Sequence, residues 1–191
     1  MTRFDSAVLF AVNSHSGTTR KGSTNPYILH PMETAAIAAS LTTDEDVLIA
    51  ALLHDTIEDA GRSPEEIKEA FGGRVLALVL ADTEKVDPSR PEIDTWMERK
   101  NAMIEYIKEK ATKDEKLIIL SDRLANLRNI HSDMQVMGEE VWSLFHTQTD
   151  KQVQGWYYHS IADEMTEFAG TAAYEEYLSL IRTVFGSEPT R

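Results

Sequence analysis

Apolar residues recur every three to four positions through nearly the whole chain, the spacing of helices that bury one face. Phe4, Ala7, Val8 and Ala11 open a first helix, which Gly17 is placed to end. Residues 16–25 are polar and have loop composition. Pro26 then starts a short turn, and Pro31 is expected to start a helix as its first residue. His30 would lie between them, pushed out of the helical region by the proline that follows it. The next helix should begin near Thr43, with Asp44, Glu45 and Asp46 in its positive first turn, and end near Gly61. Ser63-Pro64-Glu65-Glu66 combines a cap, a proline at the first helical position and a glutamate three residues after the serine. Gly72 and Gly73 break that helix, and Arg74 to Ala81 forms another. Residues 86–91 read as loop. Helical patterns follow at about 92–110, 114–129, 147–168 and 172–185, with 131–146 ambiguous. No alternating apolar and polar run is long enough for a strand pair, and there is no internal repeat. The fold class this predicts is all-α, a single multi-helix bundle over 1–191.

Two helices depart from the simple pattern. Val47 to Leu53 is apolar all round, so that helix should be buried on every side. His54, Asp55, Glu58 and Asp59 follow at once and, if helical, would cover only about 140° of the circumference. Carrying ionised carboxylates into a core costs roughly several kcal/mol each unless something compensates them. A divalent cation is the simplest compensation, because it neutralises carboxylates and accepts imidazole. The alternative is an acidic helix end fraying into water, but there negative charge opposes the helix dipole. Leu117 to Leu120 repeats the anomaly, being continuously apolar before Asp122, Arg123 and Asn126. Alone, Asp122 would read as an ion-pair partner. Beside the first helix it reads as a second acid offered to one metal site.

Charge and composition narrow the class of partner. The 191 residues carry 32 acidic and 19 basic side chains, a net −13, which is poorly suited to a nucleic-acid polymer. A small phosphorylated ligand remains compatible, since one metal ion and a few basic groups reverse the local potential. There is no cysteine, hence no disulfide or thiolate ligand. Neither a secretory signal nor an apolar run of membrane-spanning length is visible, and a cytoplasmic protein is expected.

The ordered set His30, His54-Asp55 and Asp122 resembles the HD superfamily of metal-dependent phosphohydrolases. The segments His15-Ser-Gly-Thr-Thr-Arg-Lys-Gly, Pro26-Tyr-Ile-Leu-His-Pro31, Ala50 to Asp59 and Leu120 to Arg128 are similar to the hydrolase domain of RelA/SpoT proteins. Those enzymes remove pyrophosphate from the 3′ position of the alarmones ppGpp and pppGpp. Thr18 stands where that family has Gln, and Ser121 where Ala is usual. The chain has no room for the synthetase and regulatory domains of long members, so the resemblance is to stand-alone small alarmone hydrolases.

The resemblance implies that His30, His54, Asp55 and Asp122 bind one manganese ion, although spacing alone does not choose among manganese, zinc, iron and magnesium. It places Glu58 and Asp59 beside a water activated by the ion, as catalytic carboxylates. It puts Arg20 and Lys21 on the nucleotide, with Asn126, Lys85 and Tyr157 as further substrate contacts. His15 matches the family's opening motif or only caps the first helix. His131, His146 and His159 carry no argument. Alternatives are an HD phosphohydrolase acting on an adenosine alarmone, NADPH or a deoxynucleotide, and a non-catalytic alarmone-binding module. A cyclic-dinucleotide phosphodiesterase is disfavoured because no Gly-Tyr-Pro element follows the His-Asp pair.

Overall fold

The computed structural model describes residues 1–186; the last five, which the 1–191 single-domain reading includes, lie outside the described residues. Nine α-helices account for most of them: α1 Arg3–Ser14, α2 Leu29–Ala39, α3 Glu45–Leu53, α4 Pro64–Phe71, α5 Gly73–Asp82, α6 Glu92–Glu109, α7 Lys113–Met137, α8 Lys151–Asp163 and α9 Ala172–Phe185. Short 3-10 turns occupy Gly138–Leu144 and Thr166–Phe168. Among the described residues there is no strand, only one isolated antiparallel bridge between Thr19 and Pro26. The class is all-α, as the periodicity predicts. The chain divides into two compact units, Met1–Glu84 with Thr112–Ala125, and Lys85–Ala111 with Asn126–Arg191.

The first unit is built around α3, which packs against α1, α2 and α5. Val47, Ile49, Ala50, Ala51, Leu52 and Leu53 are all buried, as an all-apolar helix requires. The first half of α7 adds Ile118, Ile119 and Leu120, each fully buried. Removing such side chains from water contributes about 1.5–3 kcal/mol apiece. Far from the buried ends, exposed Arg74 bonds Asp44 and Asp46 at the start of α3 and Asp114 in the first turn of α7, at 2.8–3.2 Å. α4 starts with the expected capping box: Ser63 Oγ accepts from the Glu66 N–H, and Glu66 accepts from the Ser63 N–H. Gly72, at φ 96°, occupies the left-handed region that lets α5 follow α4 with a single residue between them.

Several boundaries differ from expectation, α7 running on to Met137 and α8 covering only Lys151–Asp163 of 147–168, and two of the differences bear on the polar cluster. Pro31 is the third residue of α2, not the first, so His30 is helical rather than extended. The first-turn N–H groups of a helix have no intrahelical acceptor, so a proline there removes nothing needed. The turn is already formed by Leu29 N–H on Pro26 and His30 N–H on Tyr27, at 3.2 and 2.9 Å. α3 ends at Leu53, eight residues before Gly61, and His54 to Ala60 continue as turns. There the Thr56 hydroxyl takes the Leu53 carbonyl and His54 Nδ1 takes that of Ala51, in competition with helix continuation. The 131–146 interval resolves into the end of α7 followed by the first 3-10 turn.

In the second unit α8 packs on α9 and α6. Tyr174 and Tyr177 of α9 donate their hydroxyls to the carbonyls of Ala162 and Tyr158. Gly155 lets Phe185 close onto α8, since a β-carbon there would meet that ring at 3.1 Å.

Candidate metal centre

Three segments of the first unit deliver the polar cluster: the first turn of α2 carries His30, the turns directly after α3 carry His54 and Asp55, and mid-α7 carries Asp122. His30 Nε2 lies 3.2 Å from His54 Nε2 and 2.9 Å from Asp122 Oδ1. His54 Nε2 lies 3.3 Å from that same oxygen and 3.0 Å from Asp55 Oδ2, which is 3.4 Å from His30 Nε2. His30, His54 and Asp122 thus bring two imidazole nitrogens and one carboxylate oxygen together, and Asp55 Oδ2 lies against both imidazoles. Ligands held at about 2.1 Å from one ion lie about 3.0 Å apart at octahedral angles and about 3.4 Å apart at tetrahedral ones. The separations among His30, His54 and Asp122, 2.9 to 3.3 Å, fit that requirement, as do those of Asp55 from the two imidazoles, 3.0 and 3.4 Å. His54 Nδ1 is 2.8 Å from the Ala51 carbonyl, which places the proton on Nδ1 and leaves the Nε2 lone pair for the cluster.

Electrostatics agree with a cation site. Burial opposes charge on both imidazoles, but Asp122 and Asp55 outweigh it, so both rings are more basic than an ordinary histidine. Burial likewise works against ionised Asp122, yet Arg123 and the two imidazoles hold its carboxyl well below the usual range. Asp122 pairs directly with Arg123, which also reaches Asp82 Oδ1 at 3.1 Å. Asp82 is buried at the end of α5, and its Oδ2 has no hydrogen-bond partner among the described residues. Burial pushes its carboxyl up to about 6, although Arg123 pulls the other way.

Glu58 and Asp59 follow the His-Asp pair on the turns after α3. Protein crowded around the Glu58 carboxyl raises it to about 7, against the Glu84 N–H that donates to it at 3.1 Å; the charges of Glu84, Asp55 and Asp59 add to the rise. The Tyr27 hydroxyl lies 2.7 Å from Asp55 Oδ2 and 2.5 Å from Asp59 Oδ2. Arg20 sits 5.7 Å over the Tyr27 ring, and Lys21 is exposed beside it. His15 is buried, 4.9 Å from Tyr27 between ring centroids, with both nitrogens lacking hydrogen-bond partners among the described residues. His15 also gives its N–H to Ala11 as the C-cap of α1, so the capping expectation describes its backbone and not its ring.

The remaining sequence candidates belong to the second unit. Asn126 is half-buried on α7, four residues after Asp122, and Lys85 is exposed. Tyr157 is buried, with Lys100 Nζ 4.8 Å over its ring and Trp96 and Tyr158 as aromatic neighbours. Sequence reasoning gave no role to Tyr27, Asp82 or Arg123. An acid closing the apolar helix Val75–Ala81 repeats the signal that singled out Asp55, and could have found Asp82.

An all-helical fold that brings a histidine, a His-Asp pair and a distant aspartate to one point is that of the HD domain. The chain belongs to that family, whose profile matches residues 7–147. Among curated proteins it is 38% identical over 133 residues to the guanosine-3′,5′-bis(diphosphate) 3′-pyrophosphohydrolase of Aquifex aeolicus, covering 63% of this chain and 17% of that protein. It is 34% identical over 135 residues to the bifunctional (p)ppGpp synthase/hydrolase SpoT of Escherichia coli, covering 68% of this chain and 18% of that one. The chain thus spans less than a fifth of either relative. Among solved structures, a metazoan SpoT ortholog described as hydrolysing ppGpp superposes with a TM-score of 0.73 at 30% identity, over 96% of this chain and 95% of that one.

Proposed function

We propose that this protein is a manganese-dependent hydrolase that removes the 3′-pyrophosphate of ppGpp and pppGpp, giving GDP or GTP and pyrophosphate. The observation that carries the reading is the convergence of His30, His54 and Asp122 at ligand-to-ligand spacing, with Asp55 against both imidazoles and Glu58 and Asp59 one turn further on. The ppGpp-hydrolysing activities of its relatives support the substrate. When bound, the ion supplies Lewis acidity toward water and a phosphoryl oxygen. Glu58, raised toward neutrality, takes or returns a proton near pH 7, and Asp59 orients the attacking water. Arg20 and Lys21 hold the nucleotide, Arg20 by stacking or a two-pronged phosphate contact. Asn126, Lys85 and Tyr157 are proposed as further substrate contacts on the strength of the resemblance.

The test is product analysis of purified protein with ppGpp and manganese, other divalent ions replacing it in parallel. Pyrophosphate and GDP in equal amounts are expected. Glu58→Gln should bind metal normally and lose roughly 10²-fold in turnover. Orthophosphate as the product, or undiminished turnover in metal-free protein, would overturn the reading.

A further inference from the structure

Tyr27 joins three parts of the site that are separate in sequence. Its backbone N–H donates to the Thr18 carbonyl at 2.9 Å, tying it to the loop that carries Arg20 and Lys21. Its own carbonyl accepts from the His30 N–H at 2.9 Å, tying it to the first turn of α2. The side chain reaches the other way, where its hydroxyl touches both Asp55 and Asp59. One hydroxyl carries one proton, and two carboxylates compete for it.

The two acceptors are not equivalent. Asp55 has two imidazoles at 3.0 and 3.4 Å to offset its charge. Among the described residues, the Tyr27 hydroxyl is the only hydrogen bond made by the Asp59 side chain. Asp59 is exposed and lies on turns beyond the end of α3, so no other hydrogen bond among the described residues restrains its carboxylate. A short bond from a rigid ring does so. That ring is itself held, against His15 and beneath the Arg20 guanidinium.

We propose that Tyr27 is a positioning residue: its hydroxyl fixes the Asp59 carboxylate next to the ligand Asp55, and its ring couples that carboxylate to the Arg20 loop. Substrate that orders Arg20 thereby also orders Asp59. The inference rests on the hydrolase reading above and deepens it.

Tyr27→Phe tests it, because this variant keeps the ring and its contacts with His15 and Arg20 and deletes only the hydroxyl. With ppGpp and manganese, kcat should fall about tenfold or more while KM stays within about twofold. Manganese titrated into metal-free protein should bind within about threefold of wild type. In an Asp59→Asn background the same substitution should cost less than about twofold in kcat, since the hydroxyl would have lost the group it acts through. An equal loss in both backgrounds overturns the inference, as does a loss explained by weaker metal binding, because the hydroxyl would then serve Asp55. Wild-type turnover is the control: its absence sinks the hydrolase reading and the inference together, whereas normal wild-type turnover with an unaffected Tyr27→Phe sinks the inference alone.

Discussion

Arg123 is one guanidinium shared by two buried carboxylates, Asp82 and Asp122, whose side chains are each 3% exposed. Removing a single partner from such a group leaves uncompensated charge in the interior. In chelator, Arg123→Met should therefore destabilise the fold by about 3 kcal/mol. Adding Asp82→Asn should recover part of it, because Asp122 keeps its two imidazoles while Asp82, which loses its ion-pair partner, is then replaced by a neutral amide; urea melts of the two variants compare them directly. A second substitution that deepens the loss would show that Asp82 does more than balance the arginine. At this scale the sequence makes the proposed ligands legible and hides their supports. His30, His54, Asp55 and Asp122 stand out because acids and histidines are out of place among apolar neighbours. Tyr27 and Asp82 act on residues 28 to 41 positions away, and nothing local marks a tyrosine as the partner of a distant aspartate.

Among the elements, α7 shows why some departures from a family pattern leave a site alone. Ser121 is fully buried beside Asp122, but its hydroxyl bonds the Leu117 carbonyl of its own helix at 2.8 Å. Ser121→Ala should change stability by less than about 1 kcal/mol, since the helix keeps its backbone bonds and loses only a back-bond. Metal affinity and turnover should match wild type; a clear fall in either would give Ser121 a place in the site. Local chemistry announced the elements where caps and breakers were decisive, as at Ser63 and Gly72. It misplaced the start of α2 because a proline was read as the first helical residue when three positions tolerate it. It overran the end of α3 because His54 and Thr56 spend their side chains on backbone carbonyls, a choice set by tertiary packing and invisible to periodicity.

For the whole molecule, the proposed ion would contribute to the fold's stability as well as to its chemistry. At 100 times its dissociation constant a bound ion adds about 2.7 kcal/mol, so chelator should lower the melting midpoint by about 5–10 °C. The gap should depend on pH. In the metal-free protein the imidazoles of His30 and His54 have raised pKa values, so the stability their protonation contributes is complete below the ordinary histidine value, about 6.5. It fades as pH rises through the raised values, while the ion binds better as protons leave. Melting scans with and without manganese from about pH 6 to about pH 9 should show the gap widening. A gap that narrows would contradict the ligand assignment.

The bonds from Arg74 to Asp44, Asp46 and Asp114 have a mechanical meaning as well. Helices behave as stiff rods of about 1.5 Å per residue, and Asp114 lies about 12 Å along α7 from Asp122. Two rods pinned together at one end bring their other ends into alignment without help from anything placed there. Each exposed pair is weak, on the order of 0–1 kcal/mol, but a tether sets direction even where it adds little strength. On the proposed metal reading, an arriving ion would meet ligands already gathered and would not have to assemble them.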